Sequence, residues 1–363
     1  MLHKILNLAT SNGFVKRTVL AHLNMSQYEI GPIGEILRHN LMTEWYYNIV
    51  FNKDVTVIMN NGDFTGTYEY LKAFCSDRLP FGIADIKKLK KSYSTDEIIE
   101  HYKKGRDNRN TSFKDLMRHE EDSLCNCTIF VPPSNSTRFF HQWQQQRRMW
   151  WRKFSAGPGR YSLTDIKKGD NNSQRVEIIV KYPWGSESLE TITLGSHDRK
   201  LTNAQLEFQE NKKTIHAHAI VSQINLTSMF MNSICDAFDE TLVVNKARKL
   251  LRLHKKLAPF KISLAVSGAD QSSTAELSDL AVYICRQLRT NHVSTLLLPS
   301  SNQLKLDAQF KQYDELGVPY TILLSDSTLK DGIVFLRNRE TTLKEQVHVS
   351  QLVTYIDQLL KNY

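Results

Sequence analysis

The residues best suited to chemistry are cations in the segment NKARKLLRLHKKLAP, residues 245–259. On a helix, at about 100° per residue, five of them share one arc that no acid interrupts: Arg248, Lys249, Arg252, Lys255 and Lys256. Such a face suits the phosphates of a duplex, because each neutralised phosphate releases counterions. The alternative is a solvated helix at the joint between two domains.

A second basic segment, TRFFHQWQQQRRMWWRKF at 137–154, predicts a helix between two prolines and Gly157. Its apolar face carries three tryptophans and includes Arg147. We expect Arg147 to be buried and paired with an acid, because a lone buried charge is too costly. Arg148, Arg152 and Lys153 are further candidates for phosphate contact. Nothing in either segment suggests base reading, so any DNA binding should be independent of sequence.

The charge distribution also favours a polyanionic partner. The 363 residues carry a net charge of +9, whereas acids slightly outnumber bases from Pro259 onward. The basic excess therefore lies in the first two-thirds of the chain. The nearly neutral remainder is left for contacts with protein.

Cysteine and histidine spacings argue against a metal site. The five cysteines are odd in number and irregularly spaced, which favours a reducing compartment without disulfides. Cys125 and Cys127, like His216 and His218, lie two apart, whereas a structural zinc site needs four ligands in paired knuckles. The sequence therefore predicts no metal and no cofactor. No stretch approaches the roughly 18 apolar residues that would span a bilayer, so no membrane partner is expected.

Residues 1–27 have the composition of a mitochondrial presequence. They contain three lysine or arginine residues, and no acid occurs before Glu29. We expect a presequence or a disordered start here; the alternative is an ordinary first helix of the fold.

Strands alternate with helices after Pro259, which predicts an α/β domain at 257–363 with a mixed, mostly parallel sheet. We expect strands at 260–266, 292–298, 318–325 and 332–340. Helices are expected at 273–290, 301–317 and 350–361, the first capped by Ser272, Ser273 or Thr274. Gly317 should end the second helix.

This order of elements resembles the anticodon-binding domain of class II aminoacyl-tRNA synthetases of the glycyl, prolyl and histidyl group. The segment YEIGPIGEILRHNLMTEWYYNIV at 28–50 looks like the motif 1 helix of that family. LPFGIADIKKLKKS at 79–92 looks like the lead-in to motif 2, and YPWGSESLETITLGS at 182–196 like the strands of amino-acid recognition. The resemblance implies a central antiparallel-sheet domain at 28–256.

The same resemblance implies that this domain has lost its catalysis. Family members place an arginine and a glutamate in motif 2, where this chain has Lys90 and Ser92. A lysine cannot grip phosphate in the bidentate way of an arginine. The recognition positions hold Ser188 and Gly195, and no glycine occurs between Gly195 and Gly268 to let backbone approach a nucleotide. We therefore expect no catalytic residues.

The strings WWRKF and RETTLKE further resemble the accessory subunits of mitochondrial DNA polymerase gamma. The resemblance implies a mitochondrial, non-catalytic processivity factor of the matrix nucleoid. It would bind the polymerase catalytic subunit and duplex primer-template DNA. The C-terminal domain would dock on the polymerase, with predicted contacts at Gly332, Val334, Leu336, Arg337 and Arg339, although simple strand packing better suits Val334 and Leu336. The alternatives are an active mitochondrial synthetase and a synthetase-derived RNA-binding protein.

Dimer formation stays open at this point. Vertebrate members of the accessory-subunit family dimerise through an inserted helical region. This chain is short between Lys53 and Leu79 and leaves no room for that insertion there.

Overall fold

A computed structural model describes most of the chain. The described residues are 1–20, 25–60, 62–90, 113–117, 121–169, 173–195, 201–210, 212–243, 246–299 and 303–361. Ser92 lies outside them.

The described helices comprise ten α-helices, numbered here in chain order. They are α1 (Leu2–Ser11), α2 (Pro32–Tyr46), α3 (Phe64–Phe74), α4 (Phe113–Leu116), α5 (Ser136–Lys153), α6 (Leu226–Ala237), α7 (Gln271–Thr290), α8 (Leu306–Glu315), α9 (Asp326–Asp331) and α10 (Val349–Lys361). One π-helical turn, Tyr47–Phe51, continues α2.

The first fourteen described strands precede the C-terminal domain. They are β1 (Val15–Leu20), β2 (Met25–Ile30), β3 (Thr56–Met59), β4 (Phe81–Lys90), β5 (Glu121–Val131), β6 (Tyr161–Leu163), β7 (Lys167–Lys168), β8 (Gln174–Tyr182), β9 (Gly185–Gly195), β10 (Glu207–Glu210), β11 (Lys213–His216), β12 (His218–Asn225), β13 (Phe238–Val243) and β14 (Lys246–Leu251). The remaining five are β15 (Ile262–Ser267), β16 (Thr295–Leu296), β17 (Tyr320–Ser325), β18 (Ile333–Asn338) and β19 (Lys344–His348).

The central domain is built on an eight-stranded sheet. Its strand order is β3-β4-β5-β12-β9-β8-β6, with β7 also paired to β8. Only the β3–β4 pair is parallel among these described pairs. One face of the sheet packs against α5 and α6, and the other buries Phe81 and Phe130 beneath Tyr68 of α3. Alternation along each strand creates these two faces.

The N-terminal residues differ from the expectation of a disordered start. Helix α1 buries Ile5, Leu6, Leu8 and Ala9 in the core of the central domain. The segment that follows approaches α2 closely, since a Cβ on Gly34 would lie 2.0 Å from the carbonyl oxygen of Phe14. This contact requires glycine at position 34 and makes residues 2–15 part of the packed fold. Their role as a presequence stays a prediction.

The C-terminal domain is an α/β unit, as the sequence predicts. Its five-stranded sheet has the order β16-β15-β17-β18-β19. The strands β16, β15 and β17 run parallel, whereas β18 is antiparallel to both of its neighbours, β17 and β19. The predicted strand at 292–298 is reduced to Thr295–Leu296, and β19 and α9 were not predicted. The N-cap of helix α7 is Asp270, whose side chain accepts from the Ser273 amide. Of the three predicted residues, Ser273 completes this capping box, since its hydroxyl accepts from the Asp270 amide at 3.3 Å.

The segment 245–259 contradicts the predicted helix. Residues 246–251 form β14, which pairs antiparallel with β13. Residues 252–261 then lead into the C-terminal domain and are called the joint segment below. The arc of five cations therefore does not exist as a helix face.

Candidate nucleic-acid interface

The joint segment is held between the two domains by buried anchors. Leu253, Leu257 and Ala258 are buried in the core. The Asn40 amide, from α2, donates to the carbonyl oxygens of Leu257 and Ala258 at 3.0 and 3.1 Å. Because its backbone is fixed in this way, the joint segment holds its lysines in defined positions.

Lysines from two parts of the chain, the end of α5 and the joint segment itself, surround His254. The His254 ring lies 5.1 Å from the ring of Phe154, at the end of α5, where Lys153 is exposed. Lys255 and Lys256 follow His254 directly. We call Arg152, Lys153, Lys255 and Lys256 the joint cations.

Two of the joint cations have their positions set by contacts with other elements. Lys255 Nζ donates to the carbonyl oxygen of Leu359 in α10 at 2.7 Å. Lys256 Nζ lies 4.0 Å from Glu44 of α2. Each is only partly buried, so both remain within reach of a bound anion.

Burial and the neighbouring lysines both disfavour a protonated His254. Its pKa is lowered from 6.5 to about 4, first by burial and then by Lys153, Lys255, Lys256 and Lys261. The pKa of Lys261 is lowered to about 8, chiefly by burial, and its ammonium donates to the carbonyl oxygens of Lys256 and Ala258 at 2.7 and 2.8 Å. Glu44 offsets part of this charge. Like charges gathered in this way favour binding of an anion.

Helix α5 matches the prediction closely. It spans Ser136–Lys153, and its tryptophans are buried as expected. Arg147 is fully buried, and its Nε donates to Glu190 Oε1 at 2.8 Å. Arg148 is half-buried, whereas Arg152 and Lys153 are exposed in the last turn. Arg152 and Lys153 are the more exposed of these cations, and the half-buried Arg148 stays a candidate for phosphate contact.

Arg248, Lys249 and Arg252 do not form the predicted phosphate-binding face. Arg248 Nη2 donates to Asp314 Oδ2 at 2.8 Å, and Arg252 Nη2 lies 2.8 Å from Asp239. Arg252 Nε also lies 3.3 Å from Glu340. Lys249 lies opposite Glu240 in the β13–β14 register. Acids of the neighbouring strand β13 and of the C-terminal domain therefore hold or face these three residues.

Four of the five predicted protein-contact residues are interior, and Gly332 is partly exposed. Val334 and Leu336 are buried in the core of the C-terminal domain, which supports strand packing. Arg337 and Arg339 are 5% and 4% exposed, and Arg337 donates to both carboxylate oxygens of Asp314. Gly332 ends α9 in the left-handed conformation at φ +70°. A partner cannot reach the two arginines directly without displacing these contacts.

A polar row crosses the face of the central sheet opposite α5. Asp85, Asn126 and Gln223 lie side by side on β4, β5 and β12, joined by hydrogen bonds of 2.6 and 3.1 Å. The row continues through Thr191 to Glu177. Lys90 is the last residue of β4, and its backbone lies opposite Glu121 of β5 in the strand register. Ser188 and Gly195 lie on β9. Each acid of the row is ion-paired with a neighbour two residues away on its strand: Asp85 lies 3.4 Å from Lys87, and Glu177 lies 2.7 Å from Arg175.

No group of three or more metal-ligating side chains occurs among the described residues. Cys125 and Cys127 are buried on β5, and burial raises the pKa of each thiol to about 12. Of the helices that the structure describes, none combines the length and apolarity needed to cross a bilayer.

Sequence reasoning missed the residues that organise the joint: Asn40, Glu44 and Lys261. Asn40 and Glu44 come from α2, more than 200 residues from His254 along the chain. Lys261 ends the joint segment, just beyond the basic segment 245–259. The resemblance placed α2 in the motif 1 helix but assigned no binding role to Asn40 or Glu44.

The fold and its similarities to known proteins define a class. Residues 261–359 match the family model of the anticodon binding domain. The chain is also similar to glycine–tRNA ligase of Borreliella burgdorferi, with 24% identity over 89% of this chain and 71% of the ligase. It therefore has a class II synthetase-like central domain followed by an anticodon-binding domain.

Two further relatives are polymerase subunits. DNA polymerase subunit gamma-2, mitochondrial, of Xenopus laevis is 24% identical over 91% of this chain and 81% of that protein. DNA polymerase subunit gamma-2 of Mus musculus is 24% identical over 90% of this chain and 82% of that protein. These similarities confirm the resemblance to the accessory subunits of mitochondrial DNA polymerase gamma.

Proposed function

We propose that the protein is a non-catalytic accessory subunit of the mitochondrial replicative DNA polymerase. The observation that carries this proposal is similarity along about nine-tenths of the chain to proteins named DNA polymerase subunit gamma-2. The protein acts in the mitochondrial matrix, at the nucleoid, and binds the polymerase catalytic subunit. It uses no cofactor.

The second contact is with duplex primer-template DNA, at the joint cations. Arg152 and Lys153 are exposed on α5, and Lys255 and Lys256 lie beside them around His254. Lysines provide point charges for phosphates, and no base-reading geometry is required of them. Binding is therefore independent of sequence and weakens as salt rises.

The mechanism is tethering. Once the protein is bound to the catalytic subunit, its contact with the duplex becomes intramolecular, and two weak contacts act as one stronger contact. The polymerase then dissociates from its template less often. The nearly neutral C-terminal domain supplies the protein contact, and its exposed surface is the place to look for it, since Arg337 and Arg339 are interior.

Complex formation with the purified catalytic subunit tests the first contact. Analytical ultracentrifugation of the two proteins should give a new species heavier than either, which persists when DNA is absent. Two separate species at micromolar concentration would contradict the proposal.

A second candidate is an aminoacyl-tRNA synthetase or an RNA-binding protein derived from one. The similarity to glycine–tRNA ligase and the anticodon binding domain favour it. Exchange of pyrophosphate into ATP, measured with each amino acid in turn, should stay at background for an accessory subunit. Competition between tRNA and a primer-template duplex separates the RNA-binding candidate, which would prefer tRNA.

A further inference from the structure

Asp314 joins the two domains through arginines from both. It lies near the end of α8, is 2% exposed, and accepts two hydrogen bonds from Arg337 of β18 at 2.9 and 3.0 Å. It accepts two more from Arg248 of β14, from Nε at 2.9 Å and from Nη2 at 2.8 Å. One buried carboxylate therefore holds one guanidinium from its own domain and one from the hairpin that precedes it.

Arg339, from the C-terminal domain, holds the start of the joint segment, which follows this hairpin directly. Its Nη2 donates to the carbonyl oxygen of Leu253 at 3.0 Å, and its Nη1 donates to that of Gly317 at 2.7 Å. Arg248 Nη2 in turn donates to the carbonyl oxygen of Arg339 at 2.9 Å. Arg248 and Arg339 thus hold each other's segments, and the chain between Arg248 and Leu253 is fixed at both ends.

Ionic contacts of this kind select one orientation. Apolar side chains such as Leu253 and Leu316 also pack across the joint, but the hydrophobic effect is non-directional. A guanidinium that shares a carboxylate with a second guanidinium satisfies its hydrogen bonds in one geometry only. Buried ion pairs of this kind contribute to the choice of one domain orientation more than to the free energy of unfolding.

We propose that Arg248, Asp314, Arg337 and Arg339 form an interdomain lock that fixes the C-terminal domain on the central domain and positions the joint cations. Leu253, whose carbonyl oxygen Arg339 holds, directly precedes His254 and the two lysines. Arg248 is therefore a positioning residue for the joint cations and makes no phosphate contact itself. The expected effect on DNA binding rests on the proposed function, whereas the interdomain lock itself does not depend on it.

Distances between spin labels test the lock directly. Met149 on α5 and Tyr283 on α7 are 59% and 55% exposed, and each can be replaced by a labelled cysteine. Cys75 is replaced by serine, because the other four cysteines are buried. Pulsed dipolar spectroscopy should give one narrow distance distribution for the otherwise unaltered protein.

Arg248→Met removes the contacts of Arg248 with Asp314 and Arg339 and changes little else in the lock. It leaves the Arg337–Asp314 pair intact, so no charge in the C-terminal domain loses its partner. We expect a clearly broader distance distribution and faster amide hydrogen exchange in residues 252–258. Arg248→Lys, which keeps the charge but not the shared geometry, should broaden it less. Asp357→Asn, which removes an exposed pair with Lys361 in the same domain, serves as the control and should leave the distribution narrow.

An unchanged distribution in both Arg248 variants would overturn the lock, as would a broad distribution in the parent protein. The lysine variant serves as the test if the methionine variant does not fold. Duplex binding is measured on the same samples. If the distribution broadens in a protein that never binds duplex, the lock stands and the proposed DNA contact fails.

Discussion

Arg147 and Glu190 form an ion pair with no exposure to solvent, at 2.8 Å between Nε and Oε1. The pair lies between α5 and β9. Glu190 also accepts hydrogen bonds from the Trp151 indole, at 2.7 Å, and from the hydroxyl of Ser222. A single carboxylate therefore connects the tryptophan-rich helix to two strands of the central sheet.

Removing this carboxylate's charge should be costly. Glu190→Gln leaves the Arg147 guanidinium buried without its counter-ion, and we expect the free energy of unfolding to fall by about 3–5 kcal/mol. Urea denaturation at neutral pH measures the change. Glu177→Gln breaks an ion pair whose arginine, Arg175, is largely exposed, and should cost less than about 1 kcal/mol. Equal costs for the two variants would show that burial does not control the effect.

Gly317 sits where a side chain cannot be tolerated. Its φ is +72°, and a Cβ there would lie 2.8 Å from Leu253 Cδ1 and 3.2 Å from the carbonyl oxygen of Leu251. Gly317→Ala should lower the midpoint of thermal unfolding, with a cost of about 1–3 kcal/mol from strain. The control is Gly159→Ala, where a Cβ meets nothing within 4 Å and the expected change is below about 0.5 kcal/mol. A stable Gly317→Ala protein would contradict the packing at the joint.

His254 should make stability depend on pH in the acidic range. Its folded-state pKa of about 4 lies below the ordinary value of 6.5, because burial and the surrounding lysines disfavour the imidazolium. Between these values the unfolded chain binds more protons, so stability falls as pH decreases from about 6.5 to about 4. In the His254→Gln variant, the free energy of unfolding should fall less over this pH range, by about 1–2 kcal/mol after allowance for solvent screening.

Urea denaturation at pH 7 and at pH 4.5 checks the His254 prediction. The comparison is with His216→Gln, since His216 is exposed on β11 outside the joint and should leave the pH dependence unaltered. The same dependence in all three proteins would place the controlling group elsewhere.

The joint cations should set the salt dependence of duplex binding. Replacing Lys153, Lys255 and Lys256 together by glutamine should reduce the slope of log affinity against log salt by about 0.9 for each phosphate that the protein no longer neutralises. Fluorescence anisotropy with a labelled primer-template duplex measures the slope. The matched control replaces three exposed lysines of β7 and β8 instead: Lys167, Lys168 and Lys181. If only the control changed the slope, the duplex would contact the protein through those strands.

Helix α5 and its buried arginine could be predicted because both signals lie within one segment of the sequence. One is the helical spacing of apolar residues, and the other is the free-energy cost of burying an unpaired charge. Arg147 interrupts an apolar stripe, and physical chemistry then requires an acid nearby. Which acid it is could not be predicted, since Glu190 is 43 residues away along the chain and reaches Arg147 only through the sheet.

The cations of 245–256 were misassigned because lysine, arginine and leucine favour a helix, and that preference is weak against tertiary packing. In the fold, Leu250, Leu251 and Leu253 are all buried, and the pairing of β14 with β13 holds residues 246–251 as a strand. A signal was present in the β-branched and apolar residues 241–244 followed by Asn245, a pattern typical of a hairpin. The acids that pair with Arg248 and Arg252 belong to other elements, so the sequence of segment 245–259 gives no sign of them.

The length of DNA that the mitochondrial polymerase catalytic subunit makes in one binding event tests the proposed function most directly. Primer extension is run with excess trap DNA, with and without this protein. We predict longer products when the protein is present, and a smaller gain with the Lys153, Lys255 and Lys256 triple variant. Products of equal length with and without the protein, at concentrations where the two proteins bind each other, would contradict the central claim.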